Sequence, residues 1–180
     1  SSLVALQRDS IRDPRDLELM GETENRIKAM ARIHEILYRS GNFASLDAGD
    51  YVASIAEDLA EAAGAKIEVV REGGPFPIKL DDAVPLGLAA NELVTNAVKY
   101  GRAPDSGALS VEVSLRKADG RFELAVADSG PGLPAGFDPK RDGNMGFTLL
   151  RALAAQLRAE LAVGPAPGAR VSLSFTPGTE

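Results

Sequence analysis

Cysteine is absent, which excludes a disulfide framework and any thiolate metal site. Histidine occurs once, at His34, so a zinc centre built from several imidazoles is excluded as well. No apolar run approaches the roughly twenty residues of a membrane span, and no signal peptide opens the chain. The simplest expectation is a cytoplasmic protein, or the cytoplasmic part of a larger one, with no membrane insertion in this segment. A basic surplus is missing too. Lys and Arg number 20 against 26 Asp and Glu, giving a net charge of -6 and a pI near 4.9. That balance argues against nucleic acid, which demands a basic footprint. What is present is 44% hydrophobic residues in a chain of 180, enough for one ample domain or one domain with a small appendage.

Along the chain, Ser1 to about Ile11 reads as the tail of a helix, and Arg12-Asp13-Pro14-Arg15-Asp16 as a turn. A long helix is predicted from Leu17 to about Arg39, stopped by Ser40-Gly41-Asn42. Met20, Thr23, Ile27, Met30, His34 and Leu37 recur at spacings of three and four, the seam of a helical hairpin or a dimeric bundle. Leu46 to Ala63 is a second amphipathic helix, capped by Asp47 and stopped by Gly64. Lys66 to Val70 alternates as a strand, and Phe76-Pro77-Ile78 is expected to return beside it as a hairpin arm. Asp81 or Asp82 is expected to cap a central helix carrying Pro85 near its first turn. Leu109 to Leu115 alternates cleanly, Asp119-Gly120 turns, and Phe122 to Val126 is the partner strand. A loop from Leu133 to Met145 leads to a helix over 146–158, and Glu160–Val163 with Val171–Phe175 forms a last hairpin. The sum is an α+β fold: an antiparallel or mixed sheet with helices on one face, two layers in all.

Three stretches carry candidate chemistry. In Asn91-Glu92-Leu93-Val94-Thr95-Asn96-Ala97-Val98-Lys99-Tyr100-Gly101, helical spacing stacks Glu92, Asn96 and Lys99 beside an apolar stripe of Leu86, Ala90, Leu93 and Ala97. Such a row suits a helix that holds a hydrated divalent cation and a polyphosphate; it equally describes an ordinary solvated face. Asp128-Ser129-Gly130-Pro131-Gly132 ends a strand, with glycines that let a ligand approach the backbone and a carboxylate that can accept from an exocyclic amine. Alternatively it is a tight turn. Gly143-Asn144-Met145-Gly146-Phe147-Thr148 leads into a helix whose first amides can face phosphate, or it is a plain capped loop. Gly164-Pro165-Ala166-Pro167-Gly168 reads as a hairpin connection.

Taken together and in this order, Glu92-x-x-x-Asn96-x-x-Lys99-Tyr100, Asp128-x-Gly130-x-Gly132 and Gly143-x-x-Gly146 resemble the N, G1 and G2 boxes of the Bergerat-fold GHKL ATPase superfamily. Within it, the wording of the first box is similar to that of bacterial sensor histidine kinases. Glu24 to Met30 and Ile33-His34-Glu35-Ile36-Leu37-Tyr38 resemble the second dimerisation helix of the HWE and HisKA_2 kinases. The resemblance implies a partial dimerisation and phosphotransfer hairpin over 1–42 and an ATP-binding catalytic domain over 43–180. It implies a protein histidine kinase that moves the ATP γ-phosphoryl group to a histidine and on to an aspartate of a response-regulator receiver domain, working as a homodimer through the hairpin. ATP and Mg²⁺ are the implied cofactors, which the acidic net charge does not exclude, since a metal ion and backbone amides meet phosphate charge locally. Asn96 is the implied metal ligand and Glu92 the implied base. The resemblance further implies that Lys99 pairs with phosphate, Tyr100 packs beside the base, Asp128 reads adenine, Gly130, Gly132 and Gly146 give close backbone approach, and Thr148 adds a phosphate contact.

Three departures qualify the resemblance. The second box has Asn144-Met145-Gly146 in place of a doubled G-x-G, a shorter form known in the HWE-like group. The loop from Leu133 to Asp142 is short for an ATP lid. The family's phosphoacceptor run, expected just before Ser1, is missing, so the chain as written is not expected to autophosphorylate. His34-Glu35 mimics an acceptor pair, but His34 sits on the heptad seam, where a histidine is more often packed than reactive. The rival readings are a docking module that keeps the fold without the activity, and another GHKL ATPase in which Glu92 activates water. Intact Glu92, Asn96 and Asp128 weigh against the first, and the helical front end against the second.

Overall fold

The structure, a computed structural model, describes residues 13, 20, 21, 23, 24, 27, 29–31, 35, 46–105, 107–165 and 167–178. The described residues between 20 and 35 are helical, with Ile27 and Met30 of the expected seam exposed. His34, the stop at Ser40-Gly41-Asn42 and the expected domain boundary between 42 and 43 lie outside the described residues.

From residue 46 onward the order is β1 (Leu46–Asp47), α1 (Ala48–Ala63), β2 (Ile67–Glu72), β3 (Pro77–Ile78), α2 (Leu80–Tyr100), β4 (Val111–Ala118), β5 (Arg121–Asp128), α3 (Met145–Leu157), β6 (Glu160–Pro165) and β7 (Ala169–Phe175). Helix α1 is capped by Asp47 and stopped by Gly64 as expected, but it starts at Ala48 and not at Leu46, because Leu46 and Asp47 form β1. The Asp47 carboxylate accepts from the amides of Gly49 at 2.8 Å and Asp50 at 3.2 Å, and Gly64 closes the helix in the left-handed region at φ 58°. Helix α2 differs. Its N-cap is Lys79, whose carbonyl receives the first helical bonds without any side-chain cap. Asp81 and Asp82 instead lie in the first turn, where their charge meets the positive helix end. Asp82 has another partner, accepting the Gly178 amide at 3.2 Å and so tying the C-terminal residues to α2.

The sheet is mixed, in the order β2-β4-β5-β7-β6. Strands β2 and β4 run parallel, and the remaining neighbours are antiparallel. The Asp119-Gly120 turn joins β4 to β5 with both residues at positive φ, as a tight hairpin of this hand requires. The expected pairing of Phe76–Ile78 with the strand before it does not form. β3 pairs with β1 instead, because Asp47 also accepts the Phe76 amide at 3.0 Å while Ala48 donates to the Phe76 carbonyl at 2.8 Å. The residue that caps α1 thus claims the segment that alternation alone assigned to a hairpin.

Alternation decides which face is buried. Val111, Val113 and Leu115 on β4, Phe122, Leu124 and Val126 on β5, and Leu173 and Phe175 on β7 form one core with Leu86, Ala90, Leu93 and Ala97 of α2 and with Leu150, Leu153 and Leu157 of α3. Phe122 stands edge-on to both Phe76 and Phe175, at 5.4 and 5.8 Å between ring centroids. The opposite face carries ion pairs, Arg170–Glu123 at 2.8 Å and Arg116–Glu72 at 3.1 Å. The result is two layers, a five-stranded sheet under helices, with the ends of α2 and β5 and the start of α3 converging at one rim.

Candidate functional site

At that rim lies a cavity of about 330 Å³, within the range of small-molecule sites. Its walls are mostly apolar: Leu93 and Ala97 from α2, Val126 from β5, Val171 from β7, and the rings of Phe137 and Phe147. Asn96 and Asp128 are the polar side chains that matter among the lining residues, with Tyr100 at the mouth, half exposed.

Asp128 is the last residue of β5, held opposite Val111 by the ladder. Its Oδ1 accepts two backbone amides, Gly130 at 2.9 Å and Ala169 at 3.0 Å. An aspartate χ2 torsion is broad by nature, and two amides on one oxygen remove that freedom. Among the described residues Oδ2 accepts no such bond, which leaves it for a donor in the cavity. The turn itself is tied down by Ser129, whose hydroxyl donates to the Gly101 carbonyl at 3.1 Å and accepts the Ser110 amide at 3.1 Å.

Two glycines beside Asp128 have a packing reason of their own. A Cβ at Gly130 would lie 2.5 Å from the Tyr100 carbonyl oxygen and 2.8 Å from the Gly101 Cα, and one at Gly101 would lie 2.6 Å from the Asp128 Cβ. These two let the end of α2 press against the end of β5. That protein contact by itself requires glycine at both positions. Gly132, at φ 79°, does line the cavity.

On α2, Glu92 is buried at 7% exposure and Asn96 opens onto the cavity one turn later. The start of α3 abuts both: a Cβ at Gly146 would lie 3.4 Å from Glu92 Oε2 and 3.5 Å from Asn96 Nδ2. Asn144 caps α3 by accepting the Phe147 amide at 3.3 Å. The first-turn amides of Met145 and Gly146, which have no intrahelical acceptor, are left at the positive helix end beside the Glu92–Asn96 row. Lys99 does not line the cavity; its Nζ sits 5.3 Å from the centre of the Tyr100 ring. Thr148 is also off the wall, its hydroxyl donating to the Asn144 carbonyl at 3.3 Å and accepting from Arg151 at 2.9 Å.

The loop over the cavity is short but organised, which the sequence did not reveal. Phe137 meets Phe147 edge-on at 4.9 Å. Arg151 reaches back from α3, donating to the carbonyls of Pro139 at 3.2 Å and Asp142 at 2.8 Å. Asp138 folds the tip: it accepts the Lys140 amide at 2.9 Å and the Arg141 guanidinium at 2.9 Å, and the amide and these charges hold its carboxyl below the usual range. Sequence reasoning missed Phe137, Phe147 and Arg151. The available signal was two phenylalanines flanking a polar loop.

Among the described residues no group of three or more His, Asp or Glu side chains is placed to hold a metal ion. A hard divalent cation at this rim therefore has the Asn96 carboxamide oxygen, with the Glu92 carboxylate close by. That donor set suits Mg²⁺, which takes one or two protein oxygens and completes its shell with water and substrate phosphate rather than an all-protein cage.

Residues 44–175 match the family model described as a histidine kinase-like ATPase domain, and residues 1–63 match one described as a histidine kinase. Sensor histidine kinase PdtaS of Mycobacterium tuberculosis is 27% identical over 155 residues, which cover 85% of this chain and 31% of the relative. Blue-light-activated histidine kinase 2 of Erythrobacter litoralis is 28% identical over 117 residues, covering 64% and 34%. The chain thus spans about a third of the length of these curated relatives. Among solved structures, the Erythrobacter litoralis EL346 blue-light activated histidine kinase superposes with a TM-score of 0.71 at 21% identity, over 97% of this chain and 58% of that one. The ATP binding domain of PrrB from Mycobacterium tuberculosis gives 0.60 at 26% identity, over 77% and 99%.

Proposed function

The chain belongs to the histidine kinase-like ATPase domain family, and on that premise we propose that the rim cavity binds ATP with Mg²⁺ and delivers the γ-phosphoryl group to a histidine, as the catalytic region of a two-component sensor kinase. The observation that carries the proposal is the Asp128 carboxylate, fixed through Oδ1 by two amides inside an apolar cavity of about 330 Å³ with Asn96 on the adjoining wall. An apolar slot accepts a flat heteroaromatic base, and one oriented carboxylate oxygen selects an exocyclic amine, as adenine offers.

In this proposal Asp128 Oδ2 accepts the adenine amine, the Phe137–Phe147 side of the cavity and Tyr100 flank the base, and Gly132 lets the backbone come close. The phosphates run toward the start of α3, whose free amides and Gly146 face them; Lys99 leaves the Tyr100 ring to pair with phosphate, and Thr148 adds a contact from the outer side of the helix. Asn96 would hold the cation, which when bound would offset the charge of the phosphates. Glu92, buried beside Asn96, accepts the proton of the attacking imidazole as its nitrogen bonds to the γ-phosphorus and the bond to the β–γ bridging oxygen breaks, releasing ADP. Gly130 contributes by packing α2 against β5. Residues 1–42 would form part of the helical hairpin that dimerises and meets a response-regulator receiver domain, and 43–180 the ATP-binding unit.

The test is calorimetric titration of ATP with and without Mg²⁺ into the wild type, Asp128→Asn and Asn96→Ala. Loss of binding in the first variant, and of its Mg²⁺ dependence in the second, is expected. Unchanged binding in both variants would overturn the assignment.

A further inference from the structure

The connection between β6 and β7 has the composition of a passive turn, yet its last residues touch the chemistry of the rim. The Gly168 amide donates to the Asp128 carbonyl at 3.1 Å, and the next amide, Ala169, donates to the Asp128 Oδ1 at 3.0 Å. A Cβ built on Gly168 would lie 2.3 Å from Asp128 Oδ1, 2.4 Å from the Gly130 nitrogen and 2.6 Å from the Asp128 carbonyl oxygen. All three distances are shorter than real Cβ contacts. Two fall on backbone atoms and the third on the carboxylate itself, so a side chain there fits only if Asp128 moves. Backbone conformation is not the reason for the glycine: Gly168 is absent from the positive-φ glycines, whereas Gly132 and Gly143 are among them.

The Ala169 amide is free to do this because of its place in the sheet. Ala169 pairs with Pro165 at the turn end of the β6–β7 ladder, and its N–H goes to the Asp128 side chain at the end of β5. By contrast, Gly164 on β6, just before the connection, meets only the Arg170 side chain, its Cβ position 3.4 Å from Cδ.

We propose that Gly168 and the Ala169 amide are positioning residues for the base-reading carboxylate: they clamp Asp128 Oδ1 so that Oδ2, and only Oδ2, faces the base. This rests on the nucleotide reading of the cavity, and its consequence is specific. Loosening the clamp removes the recognition of the exocyclic amine without removing the apolar slot or the phosphate contacts.

The experiment titrates ATP and purine riboside triphosphate, which lacks the amine, into the folded wild type, Gly168→Ala, Ala169→Pro and Gly164→Ala. Proline at 169 deletes the donated N–H at the first residue of a strand, a position where proline is tolerated. A hydrogen bond to a carboxylate is worth about tenfold or more in affinity, so the wild type should prefer ATP by about that factor. Gly168→Ala and Ala169→Pro should lose that preference through weaker ATP binding, while the amine-less analogue binds within about twofold of wild type; Gly164→Ala should keep it. Thermal melts confirm the fold, and if Gly168→Ala melts below the assay temperature, Ala169→Pro decides. A wild type that binds both nucleotides equally would overturn the adenine reading of Asp128. A wild type that discriminates, with clamp variants that still discriminate or that lose both nucleotides alike, would overturn the clamp and leave that reading standing.

Discussion

Tyr51 offers a sharp test of the packing that sets α2 in place. Its ring is 1% exposed on α1, and its hydroxyl has no hydrogen-bond partner among the described residues. The hydroxyl presses on α2 where a Cβ at Gly87 would lie only 2.0 Å away, five residues before Glu92 on the same helix. A buried hydroxyl without a partner costs about 1–3 kcal/mol, and the void left by deleting it takes back on the order of 0.3 kcal/mol. Tyr51→Phe should therefore stabilise the fold by about 1–2 kcal/mol, which for a chain of this length raises Tm by about 2–8 °C. An alkaline signature separates this cause from others. Burial pushes the Tyr51 phenol well above its ordinary value, so above about pH 10 the unfolded chain sheds a proton that the folded chain keeps. The unfolded state then binds fewer protons, and wild-type stability falls as pH rises. The Tyr51→Phe variant would carry no such loss, while every other phenol and amine titrates in both proteins and cancels. Circular dichroism melts at pH 7 and about pH 10.5 should show the Tm gap widening at the higher pH. A variant that melts below wild type at pH 7 would mean that the hydroxyl is satisfied, and a gap that does not grow would mean that the phenol is not shielded.

Two further outcomes are expected. Arg151→Ala removes the donors to Pro139, Asp142 and Thr148; because these bonds are largely solvent-exposed, Tm should move by no more than about 3 °C, while nucleotide release measured by stopped flow should quicken severalfold as the loop under Phe137 loosens. At Asp47, partial burial pushes the carboxyl up, but the amides of Phe76, Asp50 and Gly49 and the charge of Arg71 outweigh it, so its value lies below the ordinary one. A depressed value means stabilisation that is complete above about pH 4 and lost as pH falls through the folded value. Asp47→Ala should melt several degrees lower at pH 7, and the deficit should shrink in melts taken toward about pH 2.5.

Much of the fold was legible because local chemistry and final structure agree. The period-two runs at 111–115 and 122–126 with Asp119-Gly120 between them need no tertiary information to be read as a hairpin, and Asp47 and Gly64 bound α1 by side-chain and backbone preferences alone. What failed did so where a distant partner outbid the local signal. Asp81 and Asp82 have cap chemistry, but Lys79 already adopts the extended cap conformation, at φ -78° and ψ 159°, and Asp82 is drawn to Gly178. Phe76–Ile78 follows a turn, yet the carboxylate that caps α1 pulls it away from β2. At the rim, Asn96, Tyr100, Asp128 and Gly132 line one cavity, with Glu92 and Gly146 behind them. The apolar half was hidden, because Leu93, Val126 and Val171 look like any core residue until the cavity that spares them is seen.

The glycines separate what a motif can and cannot tell. Read as letters, Gly101, Gly130, Gly132, Gly143, Gly146 and Gly168 are equivalent, and nothing in the letters separates a glycine that meets a ligand from one that meets the protein. In the structure only Gly132 and Gly143 combine positive φ, at 79° and 103°, with a place on the cavity wall. Gly101, Gly130 and Gly168 are glycine because Asp128 or the backbone beside it occupies the space that a Cβ needs. Gly146 is glycine where the start of α3 meets Glu92 and Asn96. Three of the six therefore mount a single carboxylate, and they come from the end of α2, the turn after β5 and the connection before β7. A side chain whose torsion is soft can discriminate a base only if its orientation is fixed before the ligand arrives. Fixing it from three separate elements makes its aim depend on the fold as a whole, so a substitution in the β6–β7 connection should reach the site more directly than its distance in sequence suggests.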